Sequence, residues 1–262
     1  MDLKPCATAG RLTNIHARCA TFASGDYLAD APIHKTAALP AALETAFARH
    51  ATTFRAAARR MLVSPEFRST SVYRVIRGRV QVTLLSSAGR QVILRDLVAG
   101  DLFGELAAID EQPRSTSIFA IEECTLAVLP GQVFREVAFG EPAAAEWLAR
   151  RLAAQIRDLT GRVFELNALP VAARLHCEIL RLCSSLSKDA APLSIEPAPT
   201  HDEFASRIGS HREAVTRELG YLARRRIITK GRRRLTVIDL AGLVNLVRAG
   251  AGYPSFDVEG AS

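Results

Sequence analysis

The sequence predicts an α+β protein: an antiparallel β-roll, then one long helix, then a small helical domain with a β-hairpin. Three patterns predict this order. From about Val72, apolar residues alternate in short runs separated by glycine turns, as in small antiparallel rolls. After Pro142, apolar residues recur every three or four positions, as along one side of a long helix. After Thr200, two short helical patterns flank Gly209 and lead into a hairpin pattern.

The chain has 262 residues, enough for two modest domains. We divide it into five segments: an N-terminal extension (1–38), the β-roll (39–140), the long helix (141–168), the C-terminal domain (169–248) and a tail (249–262). The N-terminal extension shows only weak periodicity, so no core is expected there.

Short elements are predicted within the roll. A helix at its start is indicated by four apolar residues: Leu39, Leu43, Phe47 and Phe54. Two alternating strands follow between Val72 and Leu84, and two more between Ser117 and Leu129. Clusters of Ser, Ala, Gly and Asp predict turns at 86–89 and 99–101.

The long helix carries a sustained apolar seam. Its members are spaced by three and four residues: Ala149, Leu152, Ile156, Leu159, Val163 and Leu166. A heptad seam of this regularity between two domains favours a parallel homodimer over a helix packed only on its own domain. The helix should stop and hinge near Asn167–Pro170, because proline disfavours helix in the residue before it.

The C-terminal domain reads as a winged helix-turn-helix. Its elements are expected as a helix over 171–186, a polar link over 187–199, helices after Thr200 and after Gly209, and a hairpin over 227–237. Thr200 and Glu203 have the spacing of a capping box. The helix after Gly209 has an inward apolar stripe: Val215, Leu219 and Leu222.

Positive charge is concentrated in the C-terminal domain. The formal net charge is +7, and residues 200–235 alone contain ten basic and four acidic residues, a net charge of +6. Such a local excess is typical of a protein that binds a polyanion. A solvated basic face is the alternative interpretation.

Several classes of protein are disfavoured. No apolar run reaches the length of a membrane span and no secretory signal is recognised, so we expect a cytoplasmic protein without a membrane partner. The five cysteines show no C-x-x-C spacing, which argues against a disulfide framework or a zinc site. No nucleophile–base pair or metal motif indicates an enzyme.

A stretch that begins at Phe103 combines residue types that suit a small sugar phosphate. The candidates for ligand binding there are Gly104, Glu105, Leu106, Arg114, Ser115 and Thr116. Arg114 offers a permanent forked cation for a phosphate, and Glu105 a carboxylate for a sugar hydroxyl. The glycine and the turn after the arginine can present backbone N–H groups. A tight turn with a surface arginine–glutamate pair is the alternative interpretation.

This stretch resembles the phosphate-binding cassette of cyclic-nucleotide-binding domains, F-G-E-L-A-x-I followed by P-R-S/A-x. The segments V-Y-R-V-I-R-G and V-A-G-D-L-F-G-E also look like the roll of that family. One departure is the turn Ser64-Pro65-Glu66, where relatives usually carry a glycine. The resemblance implies a cyclic nucleotide, cAMP or cGMP, as an allosteric ligand, and no metal.

The second helix of the predicted helix-turn-helix carries R-E-x-x-x-R at Arg212, Glu213 and Arg217, which is similar to a motif of the cAMP receptor protein family. By this resemblance the two arginines would contact guanines and Glu213 a cytosine, in a half-site similar to TGTGA. Pairing of Glu213 with Arg217 is the alternative. Further candidates for DNA contact, mostly to phosphates, are Thr200, Ser210, His211, Thr216, Lys230, Arg232 and Arg233.

Over roughly residues 40–240 the chain resembles the cAMP receptor protein/fumarate-nitrate regulator superfamily. This implies a homodimeric, cyclic-nucleotide-gated transcription regulator that binds a palindrome in double-stranded DNA and contacts RNA polymerase. The family reads the base with a Thr-Ser pair, which is Leu159 and Thr160 here. The expected ligand is cAMP, with cGMP as the alternative because Leu159 cannot hydrogen-bond. Other functional alternatives are a nucleotide-independent redox or gas sensor and a regulatory subunit of a kinase or cyclase.

Overall fold

A computed structural model of the chain describes residues 38–86, 89–184 and 192–251. The chain divides into two compact units, with the boundary between Leu159 and Thr160. The predicted fold class is confirmed, with antiparallel sheets followed by a long helix and a helix-turn-helix. The predicted tail lies outside the described residues from 252 onwards, and so does the N-terminal extension up to residue 37.

Two four-stranded antiparallel sheets form the first unit, in the orders β1-β8-β3-β6 and β2-β7-β4-β5. Its elements are α1 (Ala41–His50), β1 (Thr52–Ala56), β2 (Met61–Val63), β3 (Val72–Arg77), β4 (Val80–Leu85), β5 (Gln91–Leu97), β6 (Leu102–Phe103), α2 (Glu105–Asp110), β7 (Ser117–Ala120), β8 (Cys124–Leu129) and α3 (Gly131–Gly140). Buried apolar side chains of both sheets pack together in one core, including Val75, Val80, Ile118 and Leu126.

The first unit corrects three sequence-based expectations. Phe54 lies in β1 and not in the predicted helix, because the extended backbone of Ala51 ends α1 at His50. The helices α2 and α3 were not predicted. The first has only six residues, and the second begins with Gly131, a poor helix former. The predicted turn at 86–89 lies partly outside the described residues. Across it, the Ser86 N–H donates to the carbonyl oxygen of Arg90 at 2.9 Å, and the Arg90 N–H donates to the Ser86 hydroxyl oxygen at 3.0 Å.

The long helix α4 (Pro142–Ala168) begins and ends where the sequence predicted. Its apolar seam is largely exposed in the single chain: the exposed fractions are 64% for Ile156, 48% for Leu159, 59% for Val163 and 45% for Leu166. Ala149 is also exposed, and Leu152 is half-buried. Among the described helices, none is both long and apolar enough to cross a membrane.

The second unit places a helix-turn-helix beside a three-stranded antiparallel sheet of order β10-β11-β9. Its further elements are α5 (Val171–Ser184), β9 (Leu193–Ile195), α6 (His201–Ile208), α7 (Arg212–Arg224), β10 (Ile228–Gly231), β11 (Arg234–Val237) and α8 (Leu240–Gly250). The strand β9 corrects the predicted polar link, part of which lies outside the described residues, and α8 was not predicted. Burial of Val215, Leu219 and Leu222 confirms the inward stripe of α7.

Local interactions hold the two helices of the helix-turn-helix in place. The Thr200 hydroxyl accepts a hydrogen bond from the Glu203 backbone N–H at 3.2 Å, and the Glu203 carboxylate accepts one from the Thr200 N–H at 2.6 Å, so the predicted capping box is confirmed. Gly209 has a φ of +60°, a left-handed conformation that glycine adopts without strain. The turn therefore ends α6 and directs the chain into α7.

A buried ionic cluster lies in the core of the second unit. Glu178, which is 1% exposed, forms ion pairs with Arg181, with Arg207 at 3.3 Å and with Arg162 at 3.9 Å. Arg181 also pairs with Glu165. Burial alone would raise the pKa of Glu178, but the three guanidinium charges hold it below its usual value. The cluster ties the last turns of α4 to α5 and α6.

Candidate functional site

The first unit contains a cavity between β5, α2, the loop after α2, and α4. Its lining includes seven of the eight predicted ligand-binding residues: Gly104, Glu105, Leu106, Arg114, Ser115, Thr116 and Leu159. The remaining walls are mainly apolar and come from Val63, Val82, Leu94, Phe103 and Ile118. Thr160, the eighth predicted residue, is exposed, belongs to the second unit and does not line this cavity.

Gly104 allows the cavity wall to form. Its φ is +86°, in the left-handed region. A Cβ at this position would lie 2.6 Å from Nη1 of Arg114 and 2.9 Å from the carbonyl oxygen of Ser71. Any other residue would be strained and would push the arginine away, so the glycine of the motif has a steric role.

Arg114 is buried, with 6% exposure, although no carboxylate forms an ion pair with it within the described residues. Nη1 donates to the carbonyl oxygen of Gly104 and Nη2 to that of Ser71, each at 2.7 Å. Its Nε–H is buried and has no hydrogen-bond partner. Desolvation lowers the pKa of Arg114, while Tyr73 and Glu105 oppose this shift. A buried guanidinium with an unused donor suits an anionic ligand.

Glu105 is 3% exposed and begins α2. Its Oε1 accepts a hydrogen bond from Nε2 of Gln155 at 2.8 Å and lies 3.8 Å from Nε of Arg151. Both partners stand on α4, one turn apart. The carboxylate therefore connects the cavity to the long helix, and neither α4 residue was predicted as part of the site.

Four polar residues at or near the cavity were not predicted from the sequence: Arg95, Arg151, Gln155 and Asp158. Arg95 is on β5, and the other three stand at helical spacing on α4, on positions that the apolar seam does not use. That spacing was visible in the sequence. However, polar residues beside a seam are common on helices, and only the fold shows that these positions lie near the cavity.

Most of the predicted DNA-binding residues lie on α7, at its N-cap His211 or on the β10–β11 hairpin. His211, Arg212, Glu213, Thr216 and Arg217 are all exposed. Some already have partners: Thr216 Oγ1 lies 2.7 Å from Nδ1 of His201, and Arg212 lies 3.4 Å from Asp202. Such an exposed ion pair is weak and does not prevent other contacts.

The hairpin forms a basic wing. Lys230, Arg232 and Arg233 are exposed, and the last two form its two-residue turn. The neighbouring Arg234 forms an ion pair with Glu196 at 2.6 Å. At the helix-turn-helix, the Thr200 hydroxyl serves the capping box and Ser210 is half-buried.

Among the described residues, no group of three or more His, Cys, Asp or Glu side chains has the arrangement of a metal site. Cys124, Cys177 and Cys183 are buried free thiols. Burial raises the pKa of Cys177 and of Cys183 to about 12, so both stay protonated. Cys6 and Cys19 lie outside the described residues.

Comparison with known proteins identifies both units. Residues 54–140 match the cyclic nucleotide-binding domain family, and residues 173–246 match the Crp-like helix-turn-helix domain family. The cAMP-activated global transcriptional regulator Vfr of Pseudomonas aeruginosa is 30% identical over 156 residues, 58% of this chain and 73% of Vfr. Transcriptional regulator LdrP of Thermus thermophilus is 31% identical over 173 residues, 66% of this chain and 85% of LdrP.

Solved structures agree with these matches. FixK2 from Bradyrhizobium japonicum has a TM-score of 0.67 at 21% identity and covers 75% of this chain and 96% of its own, which shows the shared fold. TTHA1359, a CRP/FNR family regulator from Thermus thermophilus, has a TM-score of 0.60 at 27% identity and covers 76% of this chain and all of its own. The chain belongs to the CRP/FNR family of DNA-binding transcriptional regulators.

Proposed function

We propose that the protein is a homodimeric transcription regulator whose DNA binding is controlled by cAMP or cGMP. One observation carries the proposal: buried Arg114, which forms no ion pair within the described residues, shares a cavity with the buried carboxylate of Glu105. A group with one negative charge and a neighbouring hydroxyl would meet both needs. A cyclic nucleotide has both on its ribose.

The residues of the cavity fit such a ligand. Arg114 would hold the cyclic phosphate, together with backbone N–H groups at Ser115 and Thr116. Glu105 would accept a hydrogen bond from the ribose hydroxyl. The apolar wall that includes Val63, Val82, Leu94 and Ile118 would cover the base. The bound nucleotide supplies binding free energy, and no bond is made or broken.

The exposed seam of α4 supports a homodimer. Four large apolar side chains stand in solvent at coiled-coil spacing, and pairing with a second copy would bury them. Leu159 belongs to this seam and also lines the cavity, while Gln155 holds Glu105. A ligand that competes with Gln155 for Glu105 would therefore act on the dimer helix. Such linkage needs only different ligand affinities in the two states.

We infer that the second unit binds DNA through α7. Arg212 and Arg217 are exposed and can donate to guanine O6 and N7, and Glu213 can accept from cytosine N4, as in a TGTGA-like half-site. Thr200, Ser210, Lys230, Arg232 and Arg233 would hold phosphates. A two-fold dimer implies a palindromic site. Contact with RNA polymerase is part of the same proposal, by analogy with the family.

The test is a linked titration. Calorimetry measures the affinity of the full chain for cAMP and for cGMP, without and with a palindromic TGTGA-type duplex. Ligand and duplex should tighten each other by the same factor. Arg114→Leu should abolish nucleotide binding. Arg68→Leu is the control and should not, because Arg68 is exposed and lies just before Ser71, whose carbonyl oxygen accepts from Arg114. Equal duplex affinity with and without nucleotide would contradict gating.

The dimer has its own measurement. Ile156→Asp places a charge on the most exposed of the four large seam residues, so sedimentation should show a shift towards monomer. Arg150→Asp, on an exposed helix position outside the seam, is the control and should leave the dimer intact. A monomeric parent chain at the concentrations used would contradict the proposed dimer.

A further inference from the structure

The cavity contains a second arginine that is not part of the cassette. Arg95 lies on β5 opposite Val82 of β4, and both residues line the cavity. The next residue on the strand, Asp96, accepts a hydrogen bond from Gln81. Within the described residues, no side-chain hydrogen bond or ion pair engages the Arg95 guanidinium. The guanidinium of Arg95 thus lines the cavity and is influenced only by the charges of neighbouring side chains, among them Glu105 and Asp158.

Arg95 and Arg114 line the same cavity from different elements, Arg95 from β5 and Arg114 from the loop after α2. The charges that act on Arg95 are those of Glu105, Arg151, Asp158 and Asp101, whereas Tyr73 and Glu105 act on Arg114. Ser115 and Thr116, which follow Arg114 in the chain, also line the cavity, and so do Asp158 and Leu159 of α4. If phosphate and ribose occupy Arg114 and Glu105, the rest of the cavity is left for the base, and Arg95 is a second guanidinium in its lining.

A guanidinium next to the base, such as that of Arg95, can distinguish guanine from adenine. Guanine offers two neighbouring acceptors, O6 and N7, that match the two parallel N–H groups of an arginine. Adenine offers N7 but carries an N6 amino donor beside it, which would face another donor. Leu159 provides no compensating hydrogen bond. Desolvation lowers the pKa of Arg95, so a ligand that supplies acceptors also satisfies a half-buried cation.

We propose that Arg95 is a specificity-determining residue that selects a guanine base, so that the preferred ligand is a guanine cyclic nucleotide. This inference rests on the proposed function, because it assumes that Arg114 and Glu105 hold the cyclic phosphate and ribose. The competing role for Arg95 is a second phosphate contact. That role would strengthen binding of cAMP and cGMP equally, so the ratio of their affinities separates the two roles.

The experiment compares affinities of the full-length chain for cGMP, cAMP and cyclic di-GMP by calorimetry. We expect cGMP to bind roughly tenfold more tightly than cAMP, the discrimination typical of one bidentate arginine–guanine contact. Arg95→Leu should weaken cGMP by about that factor and leave cAMP nearly unchanged. Arg95→Lys keeps the charge but loses the fork, so it should also lose most of the preference.

Arg90→Leu is the matched control, because Arg90 is exposed and lies just before the same strand. It should keep the preference for cGMP. Thermal unfolding of each variant checks that the roll is intact. Cyclic di-GMP carries the same base, and binding of it more tightly than cGMP would contradict a single cyclic phosphate as the ligand and the placement of the base on which the role of Arg95 depends.

Three results would overturn the inference. If the parent chain binds cAMP as tightly as cGMP, guanine selection is wrong while the proposed function stands. If Arg95→Leu weakens both nucleotides equally, Arg95 contacts the phosphate or sugar. If no nucleotide binds the parent chain, the proposed function fails and the base assignment fails with it.

Discussion

The two units bury arginines in opposite ways. In the second unit, three guanidinium groups surround Glu178 and satisfy its charge within the protein. In the first unit, the guanidinium groups of Arg95 and Arg114 line a cavity, and neither forms an ion pair within the described residues. Buried charges are stable only when they are paired. The paired arginines around Glu178 therefore suit a structural core, and the cavity-lining arginines of the first unit suit a ligand site. The comparison distinguishes binding residues from structural ones by their partners and not by their burial.

The largest expected effect comes from removing the charge of Glu178. Glu178→Gln leaves the three arginines around it without their carboxylate, and we expect a loss of about 3–5 kcal/mol in the free energy of unfolding. Urea unfolding of the parent and the variant measures it. The comparison breaks if the loss is below about 1 kcal/mol, the range of exposed ion pairs.

Two substitutions at exposed arginines of the second unit test DNA binding, in contrast to the buried arginines around Glu178, which affect stability. Arg217→Ala should cost about 1–3 kcal/mol in duplex binding and relax the preference at one base pair. Arg232→Ala should weaken all duplexes similarly and reduce the slope of log affinity against log salt by about 1. Fluorescence anisotropy over a salt series measures both. Neither variant should change the free energy of unfolding by more than about 0.5 kcal/mol.

The same substitution in the first unit sharpens the comparison with Glu178. Glu105→Gln keeps a hydrogen-bond acceptor for Gln155 and removes a charge that has only one arginine, Arg151, within 4 Å in the described structure. We expect a cost of about 1 kcal/mol in unfolding, well below that of Glu178→Gln. Nucleotide affinity should instead fall about tenfold. An equal loss of stability in both variants would remove the distinction between the two units.

Local sequence signals predicted most of the fold and the cassette. Alternation, helical spacing and the Thr200–Glu203 capping box each depend on near neighbours in the chain, and the strands, the long helix and the capping box that they predicted were confirmed. The homodimer inferred from the heptad spacing stays a prediction. What failed depends on distant partners or weak local signals. The strand β9 forms only because β11 lies beside it, and α3 begins with a glycine.

The candidate site shows the same limit. The motif placed Gly104, Glu105 and Arg114 in one cavity, because all three lie in one short stretch of the chain that contains α2. It could not identify Arg95 or Gln155, which stand on other elements and reach the cavity only in the folded roll. A sequence motif therefore predicted one part of the cavity lining, whereas the fold was needed to identify the residues that other elements contribute.

His176 gives the smallest expected effect and extends the comparison to pH. The side chain is 4% exposed, its Nε2 lies 2.8 Å from Oε1 of Glu218, and its Nδ1 is buried without a hydrogen-bond partner. Burial lowers the pKa of His176, although Glu218 opposes this shift. The unfolded chain therefore takes up a proton near pH 6.5 while the folded chain resists it, so stability should fall as pH drops below about 6.5. Urea unfolding at pH 7.5 and 5.5 should show a smaller decrease in His176→Gln than in the parent. An equal decrease in both would show that other groups cause the pH dependence and that protonation of His176 does not contribute to it.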